Sequence, residues 1–415
     1  MQGMIYIDAS AAVHNKAGLS RYAQELIAQL AADPAHAGQY GVFYHDATTA
    51  RLNDVIKALP GIALKSGSRP WRLQALLAQL ANLSQDNLLP APSAALFHAT
   101  EHLLPRFKRI KTVFTLHDLI FKFFPEHHLP LNRLYLSMAF PLFLRRADAI
   151  ICVSEQTKRD AQRLYRVPDD KLRVIYEGVD PRFHRESDPA TLARVRERYH
   201  LPERFVLSVG TIEPRKNLKT LFEAFAQLKK PDGRSQKSEI RSQKSEVREQ
   251  RQEARDKRQE LGSQSVDDVQ LVVAGRQGWL VDETIHAVHE LGLTGCVVFT
   301  GYVSDEDLPA LYSLADAFAF PSVYEGFGLP PLEALACGAP VVCSNASSLP
   351  EVVGEAALQV SPTDVRGWMT ALERVLSDAD LRRDLSARGP RQAARFTWLD
   401  AARQTRAVYD ELVLK

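Results

Sequence analysis

Short apolar runs alternate with amphipathic stretches of helical periodicity along most of this chain. In the first half, strand-like runs occur at residues 4–8, 40–44, 95–97, 112–116 and 149–153. Residues 19–32 have the spacing of an amphipathic helix between two of these runs. Apolar runs that are bounded by turn residues and separated by helices indicate the parallel sheet of an α/β domain.

A second series of the same kind begins at residue 205 and continues at residues 269–274, 297–300, 317–320 and 340–343. The polar stretch 180–203 contains three prolines and is interpreted as the connector. We therefore expect two Rossmann-like, doubly wound domains at residues 1–185 and 200–397. Ligands bind such sheets outside the carboxyl ends of the strands, so two facing sheets predict an interdomain cleft.

Four consecutive seven-residue units interrupt the second series at residues 234–261. Each unit carries one apolar position, whereas the seam of a coiled coil needs two. Both signs of charge are frequent, which is typical of either a disordered segment or a solvated helix. The prediction is a charged surface insertion at residues 230–265, with a partner-binding element as the alternative.

The composition is that of a globular protein, with 415 residues, 45 % of them hydrophobic and 25 % charged. A net charge of +2 gives no reason to expect a nucleic-acid partner. The four cysteines are widely spaced, which favours reduced core residues over a disulfide or zinc set. A signal peptide and a long apolar run are both missing from the sequence, so a cytoplasmic protein is expected.

The segment from Pro321 to Glu333 carries the clearest chemical signal. Glu325 is followed by two glycines, and two prolines then lead into an apolar helix that contains Glu333. Prolines suit the first helical positions, which places Glu325 before the helix and Glu333 in its first turn. Glycines let the backbone approach a ligand, free helical N–H groups bind phosphate, and a carboxylate can hold a sugar diol.

Each glutamate alone could equally be a loop residue or a charge that stabilises the helix N-terminus. The whole arrangement indicates a site for a phosphorylated sugar or a nucleotide sugar. Arg215 and Lys216 follow Gly210 after a predicted strand. A guanidinium fork and an ammonium point charge could stabilise a departing diphosphate, although a solvated basic pair is the alternative.

Two Asp-x-Asp pairs resemble the metal-binding motif of some transferases, namely Asp305 with Asp307 and Asp378 with Asp380. Ser304 and Ser377 precede these pairs, as in a helix capping box. We therefore expect both pairs to be structural and predict no metal and no cofactor.

The spacing of Glu325 and Glu333 resembles the motif of retaining GT-B glycosyltransferases of family four. Similar stretches lie at residues 208–217, 271–275, 299–303 and 348–352. The resemblance covers nearly the whole chain and is far more specific for the family than for the sugar. It implies an acceptor-side first domain, a nucleotide-sugar-binding second domain, and a final helix, 398–415, that packs back on the first domain.

The resemblance also implies a role for individual residues. Glu333 should hold the ribose hydroxyls, Glu325 should face the transferred sugar, and Tyr302 and Val303 should border the base. The donor-binding set is Gly18, Gly210, Arg215, Lys216, Tyr302, Val303, Glu325, Gly326, Phe327, Gly328, Leu329 and Glu333. The catalytic set is His117, Glu325, Arg215 and Lys216. Relatives often carry an arginine directly after the glycine, where this chain has Thr211.

In the first domain, His117 ends a predicted strand, and its counterpart in relatives contacts the transferred sugar. Gly18 belongs to a loop that approaches the donor phosphate in relatives. His98 and Glu101 follow another strand and are either structural or contacts for the acceptor.

The implied activity is transfer of a hexose with retention, by front-face displacement in which the leaving phosphate accepts the acceptor's proton. Mannose from GDP-mannose, passed to a glycan or lipid-linked glycan in cell-surface polysaccharide synthesis, is the leading interpretation. A UDP-sugar donor and an inactive sugar-nucleotide-binding protein are the alternatives. A dinucleotide oxidoreductase is disfavoured because the sequence lacks Gly-x-Gly-x-x-Gly.

Basic and aromatic residues cluster at residues 69–72, 106–111 and 121–124. Such clusters suit the anionic surface of a membrane, and they also occur as ordinary solvated loops and helix faces. A peripheral contact with the inner face of the cytoplasmic membrane is therefore part of the expectation.

Overall fold

Two β-sheets, each made of parallel strands, form the framework of the chain. The computed structural model describes residues 3–14, 17–90, 93–127, 129–229, 268–276, 278 and 281–414. The chain divides into two units, of which the first comprises residues 1–180, 324–329 and 394–415. The second unit comprises residues 181–323 and 330–393. The predicted insertion at 230–265 lies outside the described residues.

The first unit contains a seven-stranded sheet. Its strands are β1 (Met4–Asp8), β2 (Tyr40–Tyr44), β3 (Gly61–Ala63), β4 (Ala94–Ala99), β5 (Lys111–Leu116), β6 (Ala149–Cys152) and β7 (Leu172–Val174), in the order β3-β2-β1-β4-β5-β6-β7. All neighbouring strands run parallel. The strand order reverses between β1 and β4, and ligands of doubly wound sheets bind at the carboxyl edge beside such a reversal.

The helices of the first unit connect and cover these strands. They are α1 (Ser10–Val13), α2 (Ala17–Ala31), α3 (Asp54–Ala58), α4 (Ser68–Leu80), α5 (Ile120–Phe123), α6 (Pro130–Arg146), α7 (Glu155–Tyr165) and, at the end of the described chain, α16 (Trp398–Val413). Phenylalanines such as Phe114, Phe140 and Phe143 fill the core between helices and sheet.

The second unit contains a six-stranded parallel sheet. Its strands are β8 (Phe205–Val209), β9 (Gln270–Ala274), β10 (Val297–Gly301), β11 (Ala317–Phe320), β12 (Val341–Ser344) and β13 (Ala357–Val360), in the order β10-β9-β8-β11-β12-β13. The strand order reverses between β8 and β11, so the carboxyl end of β8 lies at the expected ligand position.

The second unit is covered by its own helices around a separate core that includes Phe222, Phe225 and Trp368. They are α8 (Pro189–Arg198), α9 (Leu218–Lys229), α10 (Val281–Glu290), α11 (Leu308–Leu314), α12 (Leu329–Ala336), α13 (Leu349–Val353), α14 (Val365–Ser377) and α15 (Ala379–Ala393). Leu329, the first residue of α12, is assigned to the first unit. The prediction of two Rossmann-like α/β domains is confirmed.

Helix α16 packs within the first unit, chiefly against α2. Arg406 donates to the side chains of Gln39 and Tyr40, and Arg173 donates to Glu411. The resemblance implied this position for the final helix, whereas helical periodicity alone gave no information on it.

Several predicted boundaries differ from the structure. The units divide at Asp180 and Pro181, instead of at residues 185 and 200. The stretch interpreted as a connector contains α8, which begins where Asp188 accepts hydrogen bonds from the backbone of Ala190 and Thr191. The strands β3, β7 and β13 were not predicted, since they are short and partly exposed.

The basic and aromatic clusters also need correction. Trp71, Phe107 and Phe121 are 1 %, 3 % and 3 % exposed, so these aromatic rings belong to the core and do not form a surface. Separately, none of the described helices combines the length and the apolar character that crossing a bilayer requires.

Candidate functional site

His117 lies directly after β5, at the carboxyl edge of the first sheet, and is 7 % exposed. Its Nε2 is 2.8 Å from the carbonyl oxygen of Thr100, so this nitrogen must carry a proton and donate it. The edge of the Tyr22 ring packs against the imidazole, with ring centroids 4.7 Å apart. These contacts hold the imidazole in one orientation.

Glu177 faces the other nitrogen of His117, and the sequence analysis did not identify it. The Glu177 Oε1 atom is 3.5 Å from His117 Nδ1, and the residue is 5 % exposed. A second proton on the imidazole would therefore face a carboxylate. Glu177 follows the short strand β7, which was also missed, so no sequence signal placed it beside His117.

The segment 394–398 supports the turn that carries Glu177. The backbone N–H of Val179 donates to the carbonyl oxygen of Phe396, and Val179 forms a parallel bridge with Thr397. The edge of the Tyr22 ring also meets Trp398, with ring centroids 5.8 Å apart. The segment 394–398 thus contacts both the turn that carries Glu177 and the Tyr22 ring that packs on His117.

Residues 324–329 belong to the first unit, although the sequence analysis placed them in the second domain. Tyr324 donates a hydrogen bond to Asp160, and Thr157 donates to the carbonyl oxygen of Gly326. Gly326 lies against the His117 carbonyl oxygen so closely that a Cβ atom would overlap it. Only glycine can therefore bring this segment so close to His117.

Within the same segment, Glu325 is 8 % exposed and Phe327 is 4 % exposed. The Phe327 ring packs against the rings of Tyr176 and Phe396, so its side chain belongs to the core. Gly328 has a φ of 124°, in the region that favours glycine. Gly18 lies in the first turn of α2, and a Cβ atom there would contact none of the residues that the structure describes.

His98 is structural and not an acceptor contact, because it is fully buried. Its Nδ1 is 2.6 Å from the Tyr409 hydroxyl of α16, and its Nε2 is 2.7 Å from Thr115 Oγ1, which in turn pairs with Tyr22. Burial lowers the pKa of His98 to about 3, so the ring is neutral near pH 7. This chain of hydrogen bonds connects α16 to the ring that packs on His117.

Glu101 lies beside a buried carboxylate, Asp8. Burial and the nearby Glu101 charge raise the pKa of Asp8 to about 6. The Glu101 Oε1 atom is 3.5 Å from His45 Nε2, and both residues are at most 7 % exposed. The carboxyl edge of the first sheet therefore carries carboxylates and histidines on β1, β2, β4 and β5.

In the second unit, Lys216 lies at the carboxyl end of β8 and is 9 % exposed. Its stem passes close to Gly210, where the φ of 150° and the close approach both favour glycine. The Lys216 Nζ atom is 4.7 Å from the centroid of the Phe320 ring. Gly210, Lys216 and Phe320 line a small recess together with Ser208, Val209, Thr211, Leu218 and Val273.

Arg215 differs from Lys216 in its surroundings. Its guanidinium forms an ion pair with Glu213, with Nη2 2.5 Å from Oε1. Its carbonyl oxygen accepts hydrogen bonds from Val323 N–H and the Ser322 hydroxyl. The backbone of Arg215 thus joins the turn after β8 to Ser322 and Val323, while its side chain is engaged with a carboxylate.

Glu333 is 3 % exposed, and its Oε2 accepts a hydrogen bond of 2.9 Å from the Tyr312 hydroxyl. Helix α12 begins at Leu329, so Glu333 lies just beyond the first turn and not within it. The helix can begin before Pro330 and Pro331 because the first four N–H groups of a helix have no intrahelical partner. A carboxylate has further lone pairs after accepting one hydrogen bond.

The predicted base-contacting residues differ in exposure. Tyr302 is 54 % exposed, and the guanidinium of Arg276 lies 4.5 Å from its ring centroid. Val303 is 4 % exposed. A flat, exposed ring of this kind could stack on a base, whereas Val303 could offer little more than its backbone.

One aspartate of each Asp-x-Asp pair is engaged in structural contacts. Asp307 is 1 % exposed and is bound by Arg194 and Arg198, and Tyr199 and Ser304 also donate to it. Asp378, and not Ser377, caps α15 by accepting from two backbone N–H groups. Both capping boxes were therefore wrong in detail. Across the residues described by the structure, no three metal-ligating side chains converge.

Comparison with known proteins supports both halves of the chain. The family described as "Glycosyltransferase Family 4" matches residues 17–183, and the family described as "Glycosyl transferases group 1" matches residues 193–392. The O-antigen chain mannosyltransferase B of Escherichia coli is 32 % identical over 408 residues, which cover 94 % of this chain and 95 % of that protein. A serotype-specific mannosyltransferase of Escherichia coli, WbdA, is 31 % identical over 70 % of this chain and 32 % of its own length.

Solved structures show the same fold. The sucrose-phosphate synthase of Thermosynechococcus elongatus aligns over 99 % of both chains with a TM-score of 0.71 and 21 % identity. WaaG, a glycosyltransferase involved in lipopolysaccharide biosynthesis, aligns over 98 % of this chain and 99 % of its own, with a TM-score of 0.67 and 17 % identity. With the two family matches and the full-length relative, these alignments establish that the chain belongs to the group 1, family 4 glycosyltransferases and has the GT-B fold.

Proposed function

We propose that the chain is a retaining, metal-independent hexosyltransferase that moves mannose from GDP-mannose to a glycan or lipid-linked glycan acceptor. The observation that carries the proposal is the placement of Lys216 beside Gly210 at the carboxyl end of β8, where a doubly wound sheet binds its ligand. The mannosyl specificity rests on the relatives, because the full-length match and WbdA are both named mannosyltransferases.

Lys216 is proposed to stabilise the departing diphosphate. Its ammonium lies over an aromatic ring and is nearly buried, so its field at the recess is screened less than at an exposed site. Backbone N–H groups near Gly210 and at the start of α12 would add partial positive charge. Arg215 is given a smaller share of this role, since Glu213 already neutralises its guanidinium.

Glu333 is proposed to hold the ribose hydroxyls. The hydrogen bond from Tyr312 fixes one carboxylate oxygen, and the remaining lone pairs can accept from a diol. This assignment needs a nucleotide and does not depend on which base it carries, so it fits GDP-mannose and a UDP-sugar equally well.

His117 is proposed to contact the transferred sugar, with Glu177 as the residue that positions it. The imidazole donates to Thr100 through Nε2, so a contact with the sugar would be made on the Nδ1 side of the ring, where Glu177 lies. Glu325 is proposed to hold sugar hydroxyls from the segment that Gly326 brings against His117.

The reaction is proposed to proceed on one face of the sugar. The bond from the anomeric carbon to the leaving phosphate oxygen breaks with its electron pair on that oxygen. The acceptor hydroxyl forms the new bond on the same face, and its proton passes to the leaving phosphate. Charge develops on the phosphate in this step, which is where preorganised cations and N–H groups contribute most.

The acceptor and the location are also proposals. The names of the relatives suggest cell-surface polysaccharide synthesis. A lipid-linked acceptor would be held at the surface of a membrane. We therefore propose a cytoplasmic enzyme with a peripheral membrane contact.

The test is a thermal-shift screen with GDP, GDP-mannose, UDP and UDP-glucose in the presence of a chelator. A ligand at 100-fold its Kd should raise the melting temperature by roughly 5 °C or more, because it binds the folded state alone. Glu333→Gln should abolish this shift, and the matched control Glu373→Gln, on the exposed face of α14, should keep it.

The screen distinguishes the alternatives. A shift with guanine nucleotides, followed by transfer of α-mannose in chelator, would support the proposal. A shift with uracil nucleotides alone would replace the donor. A shift that appears only after a divalent cation is restored would overturn metal independence, and a shift without any transfer would favour an inactive binding protein.

A further inference from the structure

Two neighbouring helices of the first unit turn apolar side chains toward solvent. On α4, Leu73, Leu77 and Leu80 are 57 %, 54 % and 53 % exposed. On α6, Leu131, Leu134 and Met138 are 83 %, 57 % and 45 % exposed. The spacing of three and four residues places each set on one face of its helix. We call these six residues and the surface between them the α4–α6 face.

The two helices lie side by side and run in the same direction. Near their first turns, Arg72 donates to Asn132 and stacks over the Tyr135 ring. Near their ends, Arg146 donates to Gln79. Both helices bury their opposite faces in the same core, through residues such as Trp71 and Phe140. The exposed leucines of α4 and α6 therefore look outward on the same side.

The surroundings of the α4–α6 face are cationic. The two helices contain five arginines and no aspartate or glutamate, namely Arg69, Arg72, Arg133, Arg145 and Arg146. The segment beyond α4 adds Arg106, which donates to Asn82, and Lys108 and Arg109, whose backbone N–H groups donate to one carboxylate, Asp86. An apolar centre with cations around it has the character of a surface that lies in a membrane interface.

We propose that the α4–α6 face docks on an anionic lipid bilayer, with its leucines among the acyl chains and its arginines and lysines at the headgroups. A membrane fits better than a second copy of the chain. In a two-fold dimer the same patch meets itself, so like charges at its rim would repel. The inference rests on the membrane contact of the proposed function, and it adds an apolar centre of six residues to the cations at residues 69–72 and 106–111.

The first test measures sedimentation with vesicles of phosphatidylglycerol and phosphatidylethanolamine, and with vesicles of phosphatidylcholine. The wild-type protein should bind the anionic vesicles and bind phosphatidylcholine weakly. The variant Leu77→Ser/Leu134→Ser should bind anionic vesicles about 100-fold more weakly, because each leucine that enters the bilayer contributes on the order of tenfold in affinity.

A matched variant carries the same two substitutions at leucines elsewhere in the first unit, Leu399→Ser/Leu414→Ser, which are 55 % and 81 % exposed in the wild type. This control should bind as the wild type does. Equal losses in both variants, or no binding of the wild type to anionic vesicles, would overturn the proposal.

The second test separates the charge from the apolar contact. Arg69→Gln/Arg133→Gln should lower binding to anionic vesicles and reduce its salt dependence, whereas Arg383→Gln/Arg403→Gln should change neither. Dimerisation that Leu77→Ser/Leu134→Ser abolishes, without vesicle binding, would replace the bilayer with a second copy. Nucleotide-dependent melting shifts should persist in all four variants, so a failed donor assignment and a failed membrane contact are recognised separately.

Discussion

The carboxyl edges of the two sheets carry different chemistry on the same type of strand arrangement. In the first unit, histidines and carboxylates pair with one another, as His117 does with Glu177 and His45 does with Glu101. In the second unit, a lysine, glycine backbone and an aromatic ring surround a recess. The side chains of the first edge hold one another in fixed orientations, whereas the second edge places an ammonium group beside a glycine backbone, which suits the proposed diphosphate. Three substitutions test this difference.

The largest effect is expected for Lys216→Ala. The substitution removes the cation at the recess while leaving Gly210 and the fold of β8 in place, so kcat should fall by about 100- to 1000-fold. Steady-state kinetics with a saturating donor measure it. Lys219→Ala is the matched control, because Lys219 is exposed two residues into α9 and should leave kcat unchanged. A folded Lys216→Ala protein with near-normal kcat would remove Lys216 from the stabilisation of the leaving group.

An intermediate effect is expected for Glu177→Ala. Without the carboxylate, the imidazole of His117 loses the group that faces Nδ1, and kcat should fall roughly 10- to 100-fold with little change in the donor KM. Glu177→Gln keeps the shape and an acceptor oxygen, so it should recover part of the loss. A merely structural role predicts instead that both variants lower the melting temperature and keep kcat, which would contradict the assignment of Glu177 as a positioning residue.

The smallest effect is expected for Tyr409→Phe, and it concerns stability. The substitution leaves the buried Nδ1 of His98 without the Tyr409 hydroxyl, which should lower the free energy of unfolding by about 1–3 kcal/mol. Chemical denaturation measures the change. Tyr165→Phe is the control, because the Tyr165 hydroxyl is buried and has no hydrogen-bond partner among the described residues, so its removal should cost little or stabilise the protein. Equal losses of unfolding free energy in the two variants would show that the hydrogen bond between His98 and Tyr409 adds no stability of its own.

The sequence predicted the two sheets well because buried parallel strands are continuous apolar runs, and β1, β2, β8 and β11 were placed at their observed bounds. It also predicted which motif residues end up at the carboxyl edges, including His117, Gly210 and Lys216. Strand ends follow from local patterns, so the residues that come next in the chain can be placed at an edge without knowledge of the tertiary structure.

Other features depended on contacts between distant segments and could not be predicted. Glu177 follows the partly exposed strand β7, and its position is held by Val179 pairing with Phe396. The pairing of Arg215 with Glu213 could not be predicted either, because the sequence contains several carboxylates that could have paired with this guanidinium. From the sequence, the aromatic residues of the basic clusters, such as Trp71, were interpreted as surface residues. The charged residues beside them obscure the periodicity of a helix that buries only one face.

The position of α16 has a consequence for how the protein is made. The strands of the first unit leave the ribosome before the second unit does, whereas α16, which supplies Tyr409 to His98 and Arg406 to Tyr40, emerges after it. The first unit therefore lacks its contacts with α16 until the second unit has been synthesised. A nascent chain that stalls before residue 394 would present a folded second unit beside a first unit whose apolar surface is still open to chaperones.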